Sequence, residues 1–341
     1  MRPLTSLLFG LFVLSRTFAT EVPLPSYEPI SVKPPTNAGY VLPDGSVQII
    51  CSRGLGGVIE RLDRLFTQAH PGVRFTVRLG NDTSALSALT FGATAFAPMA
   101  AEATASGLYG HVKLVGVEPL ALRVAHGSLN PAAGLSALAV IVNPANSLAT
   151  LDQGQLTRIF AAGAGKGDYS RWSQLGVRDP LGSMLIHPVG LPESDYLTSE
   201  DPSFGAYMVL RKMDGAHFTP TYEMVMTYAE VAARVATDPQ AVGLVALNRV
   251  TSGVKVVALR ADRWSDPMTG TMENIASGQY PLDRFLYLYL RLVPGEAADP
   301  FAREYLKLAL SREGQAAIAS APEQYLALSP REVLDELAKL R

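Results

Sequence analysis

The chain reads as an α/β protein built on largely parallel sheets in two domains, and three observations carry that expectation. Strand-type and helix-type patterns alternate along most of its 341 residues. The first such set runs strand, helix, strand, which requires a parallel pair joined by a crossover. About 320 residues remain after an apparent leader, more than a single hydrophobic core usually organises.

The leader comes first. Arg2, an apolar core from Leu4 to Leu14 and the small residues Thr17 and Ala19 read as a cleavable export signal over residues 1–19. The core is shorter than the roughly 20 apolar residues that span a bilayer, so an integral membrane protein is not expected after cleavage. No cysteine follows it, so there is no lipobox, and the expected location is periplasmic or secreted. Residues 20–45 hold Pro23, Pro25, Pro29, Pro34, Pro35 and Pro43 and read as an extended arm.

Folded elements follow. VQIIC, ending at Cys51, is a strand, and GVIERLDRLF places Val58, Ile59, Leu62, Leu65 and Phe66 at helical spacing. In GVRFTVRL, Val73, Phe75, Val77 and Leu79 alternate with Arg74, Thr76 and Arg78, the period of a strand with one face exposed. An Ala/Leu helix from Ser84 leads to GATAFAPM. The pattern repeats through ALAVIVN, a helix around Gln155, SMLIHPV, a helix from Tyr228 to Ala236, and AVGLVAL. LYLYLRLV from Leu286 is a late apolar strand, and Asp299-Pro300 and Ser329-Pro330 read as N-caps with proline in the first helical turn.

Composition narrows the function. Without Arg2 and Arg16 the chain holds 27 basic and 31 acidic residues and no basic tract, which speaks against nucleic acid. The single cysteine, Cys51, cannot form an internal disulfide and reads as a buried free thiol. The five histidines show no i, i+4 pair and no cysteine companions, so neither metal nor cofactor is expected. GAGKGD around Lys166 fails as a nucleotide loop, because Phe160 replaces the first glycine and Gly167 the required Ser or Thr, and it reads as a surface turn. No Gly-x-Ser-x-Gly elbow appears, and the chain is read as a non-enzyme.

Asn143-Pro144 after an apolar strand, a helix carrying Leu156, Ile159 and Phe160, a Gly-rich turn and Trp172 resemble the phosphate-type periplasmic substrate-binding proteins, components of ABC transporters. YPLDRFLYLYL from Tyr280 and LSREGQAAIA from Leu310 stand in the order and spacing of the same family. The resemblance implies a two-lobe type II periplasmic-binding-protein fold, with mostly parallel sheets flanked by helices and a cleft between the lobes. It implies lobe one over 46–123 and 284–341 and lobe two over 124–283.

The same resemblance locates a site. Ser52, Arg53 and Gly54 stand at a strand-to-helix join where free N–H groups hold an anion, with Arg53 as a cationic fork; the other reading is a glycine-softened turn. Asp82, Thr83 and Ser84 start a second helix, where hydroxyls serve either a ligand or their own cap. Ala95 occupies the position of an aspartate that accepts a proton from phosphate in the family. The family's Arg and Ser-Gly-Thr are also missing. Ser194 and Ser203 remain as donors beside Glu193, Asp195, Glu200 and Asp201, four carboxylates that read as a solvated acidic loop.

The expected function is an exported receptor that closes two lobes on a small anionic ligand, phosphate or another solute, and passes it to an ABC permease, acting as a monomer. The alternative is a non-transport sensor or envelope interaction protein that keeps the fold and has lost the phosphate site.

Overall fold

The computed structural model describes residues 23–194 and 199–341. The expected export signal at 1–19 and Asp195 of the acidic loop lie outside the described residues.

The chain opens with β1 (Val47–Ser52), α1 (Gly56–Ala69), β2 (Phe75–Gly80), α2 (Asp82–Thr90), β3 (Ala97–Met99), α3 (Ala105–Val115) and β4 (Leu120–His126). It crosses to β5 (Leu138–Val142), β6 (Thr150–Asp152), α4 (Gln153–Phe160), β7 (His187–Gly190) and α5 (Phe204–Tyr207), which continues as a π-helical turn over Met208–Lys212. Then come β8 (Glu223–Met224), α6 (Tyr228–Thr237), β9 (Ala241–Ala246), β10 (Lys255–Arg260) and α7 (Met272–Ala276). A second crossing leads to β11 (Phe285–Leu290), α8 (Pro300–Ala309), α9 (Arg312–Ala319) and α10 (Pro330–Ala338).

Local chemistry explains the helix starts. Asn81 with Ser84, Asp152 with Gln155, Thr227 with Glu230 and Ser329 with Glu332 form reciprocal capping boxes at α2, α4, α6 and α10. Asp299 caps α8, and Pro300 and Pro330 occupy first-turn positions that need no N–H, as the sequence predicts.

Two lobes result. One core gathers apolar residues between Ala137 and Leu282; the other joins residues before Leu135 to those after Leu286. The six-stranded sheet runs β6-β10-β5-β9-β7-β8, and three of its five pairings are parallel. Only β5, the first strand after the outward crossing, opposes its neighbours. The other lobe repeats this device, because β11, the first strand after the return, lies antiparallel between β3 and β4. Beside them β1 and β2 pair in parallel.

Strand β2 departs from expectation. Its Phe75 packs on Phe66, Phe301 and Tyr305, but Val77 and Leu79 on the same face remain 37% and 50% exposed. It is an edge strand, so its apolar face lies over an open groove against α1 instead of under a covering element.

The proline-rich arm is a strap. Its Pro25 carbonyl accepts the Arg312 amide, Tyr27 Oη bonds His70 and Glu304, and Tyr40 donates to Asp299. These bonds tie it to the lobe that carries α1, α8 and α9. Cys51 is a buried free thiol, and burial pushes its ionisation up.

Candidate ligand-binding site

The two crossings run side by side. The Gly127 amide donates to the Arg284 carbonyl at 2.8 Å and the Leu138 amide to the Leu282 carbonyl at 2.9 Å. Tyr207 and Tyr280, both from the second lobe, fix the pair by donating to the carbonyls of Asp283 and Leu138. Next to Arg284 stands a buried polar triad. His126 bonds Asp283 Oδ2 through Nδ1 at 2.6 Å and Glu332 Oε2 through Nε2 at 3.2 Å. Burial opposes charge on the imidazole, but the bonds to Asp283 and Glu332 outweigh it and hold His126 at about 9. Burial likewise resists ionisation of Glu332, and its bonds from His126 and Ser329 prevail, holding it at about 2.

Arg284 lies where the lobes meet, and its side chain is completely buried. Its Nη2 donates to Glu102 Oε2 at 2.9 Å and to Ser203 Oγ at 2.6 Å; its Nε reaches the same Glu102 oxygen at 3.3 Å. Its Nη1 pairs with Asp201. Glu102 follows β3 in the first lobe, whereas Asp201 and Ser203 precede α5 in the second, so one guanidinium ties both. Asp201 is held further by Ser203 Oγ at 2.7 Å and Tyr228 Oη at 2.8 Å. Burial would raise the Asp201 carboxyl, but the adjacent guanidinium holds it below its ordinary value.

Asp82 completes the cluster from the first lobe. Its Oδ1 accepts the Ala100 amide at 2.8 Å, and the nearby Ser52 side chain favours the ionised carboxylate. Burial pushes it up; the Ala100 amide and the Ser52 side chain oppose that, the charges of Asp201 and Glu102 reinforce it, and it stands at about 6. Close backbone approaches shape the walls. A Cβ on Gly54 would stand 2.9 Å from the Cβ of Ala100, and one on Gly205 only 1.9 Å from the Glu193 carbonyl oxygen.

The residues singled out in the sequence divide. Ser52 and Ser203 enter this cluster from opposite lobes, and Gly54 lies beside it, its carbonyl accepting Tyr325 Oη at 2.9 Å. Arg53 is exposed and lines the groove between α1 and β2, facing Glu60 and Arg64. Thr83 lines a separate groove between α2 and α3. Ser84 serves its own helix cap, bonding the Asn81 amide at 2.9 Å. Ser194 is exposed, at the edge of residues 195–198.

The acidic loop is solvated only in part: Glu200 is exposed and Glu193 half-buried, whereas Asp201 is drawn inward. Glu193 pairs with His217 and accepts the Phe218 amide, Glu200 pairs with Arg249 at 3.2 Å and accepts the Tyr228 amide, and Asp201 meets Arg284. Each carboxylate found a cation or a free amide from elsewhere in the fold. Neither Glu102 nor Arg284 was marked as a site residue by the sequence, although Arg284 stands in a family-like run. The former stands in the small-residue run MAAEATA, the latter in YPLDRF, and only the second crossing brings them together.

A family model described as a PBP superfamily domain matches residues 45–313. This chain belongs to that superfamily. Among curated relatives of this PBP protein, the phosphate-binding protein PstS of Pseudomonas aeruginosa, from two strains, is 25% identical over 99% of this chain and 97% of its own. Solved PBP structures agree in fold. An ABC-type phosphate transport receptor from Vibrio cholerae aligns over 82% of this chain and 99% of its own, with TM-score 0.50 and 20% identity. PstS from Borrelia burgdorferi aligns over 83% and 98%, with TM-score 0.51 and 16% identity. The PBP fold is that of two-lobe binding proteins, a family of transport receptors and not of enzymes, and no helix among the described residues is long and apolar enough to cross a membrane.

Proposed function

We propose that this chain is an exported solute receptor that closes its lobes, 46–123 with 284–341 and 124–283, on a small oxyanion of the phosphate class. The observation that supports this reading most is Arg284, a buried guanidinium bonded at once from Glu102 of one lobe and from Asp201 and Ser203 of the other.

The chemistry narrows the ligand. Glu102 and Asp201 hold one guanidinium, Asp82 feels the charge of both, and ionised carboxylates only accept hydrogen bonds. A ligand entering here must therefore bring protons as well as negative charge. Phosphate carries them at neutral pH, and sulfate does not. In this reading an oxyanion replaces Glu102 on Arg284, takes the Ser203 hydroxyl, and donates a proton to Asp82, which stands in for the aspartate missing at Ala95. Closure follows because the ligand bonds groups from both lobes only in the closed form. An ABC permease is the partner the reading implies, with the protein acting as a monomer in the periplasm.

Titration calorimetry of the chain from Thr20 onward, with phosphate and then sulfate at neutral pH, tests the reading. Micromolar phosphate binding with sulfate at least about tenfold weaker is expected, a difference of roughly 1.4 kcal/mol. Absence of heat with both anions would point instead to a receptor that has changed its ligand.

A further inference from the structure

A second cationic region lies outside the cleft, on the lobe that carries α4. Arg158, Lys166, Arg211, Lys212 and Arg263 line one cavity of about 850 Å³. Among the described residues, the carboxylates on its wall are Asp152 and Asp214, and Asp152 accepts the Gln155 amide at 2.7 Å as the cap of α4. The chain as a whole has a net charge of −2, so this concentration of positive charge runs against its composition.

The wall is built, not a loose brush of side chains. Arg158 lies 3.8 Å over the Tyr169 ring and donates to the carbonyls of Lys166 and Gly167 at 3.0 and 2.6 Å and to Tyr169 Oη at 2.8 Å. Asp168 accepts the amides of Gly163 and Ala164. Together they fix GAGKGD, the turn that fails as a nucleotide loop, with Lys166 on the cavity wall. Across it, Lys212 Nζ donates to the Pro281 carbonyl at 2.6 Å and lies 5.3 Å from the Tyr207 ring. Among the described residues, Lys166, Arg211, Lys212 and Arg263 make no ion pair with a carboxylate, although Asp262 acts on Arg263, and Asp283 and Glu102 on Lys212, through longer-range charge. Elsewhere Arg64, Arg123, Arg234, Arg249 and Arg312 each pair with a glutamate.

We propose that this cavity is a second anion site, one that takes a ligand with two or more anionic groups, of which a condensed phosphate is the chemical type. A single tetrahedral oxyanion neither fills such a volume nor balances five cations, whereas linked phosphate groups reach several donors at once. The assignment does not rest on the cleft reading: Lys212 shares the Tyr207 ring with Arg284, but Lys166, Arg211 and Arg263, the residues tested below, are not bonded to Arg284 or its partners.

The test is calorimetry with pyrophosphate and orthophosphate on three forms: the unaltered chain, the triple variant Lys166→Gln/Arg211→Gln/Arg263→Gln, and Ser203→Ala in the cleft. The three replaced residues are exposed, and an unchanged melting temperature verifies folding. Pyrophosphate binding should fall at least about tenfold in the triple variant, with a shallower salt dependence, and stay unchanged in Ser203→Ala. Orthophosphate binding should show the reverse pattern. The proposal is overturned if the unaltered chain does not bind pyrophosphate, if the triple variant binds it equally well, or if Ser203→Ala alone weakens it. Orthophosphate silence with the pyrophosphate pattern intact would sink only the cleft reading.

Discussion

The cleft and the cavity over α4 treat positive charge in opposite ways. In the cleft one guanidinium, Arg284, is enclosed by Glu102, Asp201 and Ser203, with Asp82 in electrostatic reach. Over α4, five cations face two carboxylates. Burial accounts for most of the difference: Lys166, Arg211 and Arg263 are exposed, and only Lys212 is largely enclosed, where burial pulls its ammonium below the ordinary value. A cation removed from water must be matched by the chain itself, because leaving it unmatched costs several kcal/mol. Cations that remain wet can stand unmatched until an external anion arrives, at the cost only of screened repulsion.

Removing charge from each region is the strongest way to break that comparison. Arg284→Met leaves Glu102 and Asp201 buried without a counter-charge and should destabilise the protein by about 3–5 kcal/mol. The triple change at Lys166, Arg211 and Arg263 should stay within about 0.5 kcal/mol per site. Urea unfolding of both variants measures the contrast. Equal losses would mean that the cavity charges are structural and that burial does not separate the regions.

The triad beside Arg284 sharpens the point through pH. His126 has a folded value of about 9 against an ordinary 6.5, so its stabilisation is complete below pH 6.5 and disappears as pH rises through 9. Glu332, at about 2 against 4.5, contributes fully above pH 4.5 and loses its contribution as pH falls through 2. Both contributions are therefore at full strength between pH 4.5 and 6.5. The unfolding free energy from denaturant titration should fall from pH 6.5 to 9 by an amount on the order of 2 kcal/mol in the unaltered chain, and His126→Gln should flatten that slope. An unchanged slope in the variant would show that the imidazolium is not what holds the crossings together.

Much of the fold was legible from local signals. Asp299-Pro300, Ser329-Pro330 and Asn143-Pro144 mark boundaries through short-range chemistry, and continuous apolar runs such as LYLYL declare a buried strand. The site was legible only in part. Ser52 and Ser203 stand at chain turns whose role depends on nearby sequence, and both reach the cleft. Arg53 could not be oriented from sequence, because a residue at a strand-to-helix turn faces either the cleft or the outer groove according to the φ/ψ of one or two bonds. Glu102 and Arg284 are 182 positions apart, and their meeting is a property of the second crossing. Asp201 of the acidic loop departs from a solvated reading for the same reason: its cation, Arg284, lies far along the chain.

Glu102→Gln is the next perturbation in size. The amide keeps an oxygen toward Arg284 but no longer neutralises it, so an incoming anion meets a freer guanidinium. Phosphate should bind about tenfold more tightly than to the unaltered chain, roughly 1.4 kcal/mol. Weaker binding by calorimetry would place Glu102 among the groups that hold the ligand and would remove the competition between carboxylate and anion.

Asp82→Asn is expected to have a small, stabilising effect and tests what an unmatched carboxylate does in the cleft. Its folded value of about 6 exceeds the ordinary 3.8, so the native state binds this proton more tightly than the unfolded chain. Its protonation favours folding most below pH 3.8, and that advantage is lost as pH rises through 6; at pH 7 the ionised group is a penalty. Asparagine retains an oxygen for the Ala100 amide and removes the charge near Asp201 and Glu102. The variant should therefore be more stable than the unaltered chain by about 1 kcal/mol at pH 7.5, after discounting for partial solvent access, and indistinguishable from it at pH 4. Its preference for phosphate over sulfate should narrow as well, because an amide oxygen is a weaker proton acceptor than a carboxylate. A stability gain without that narrowing would leave Asp82 as an electrostatic burden with no part in ligand choice.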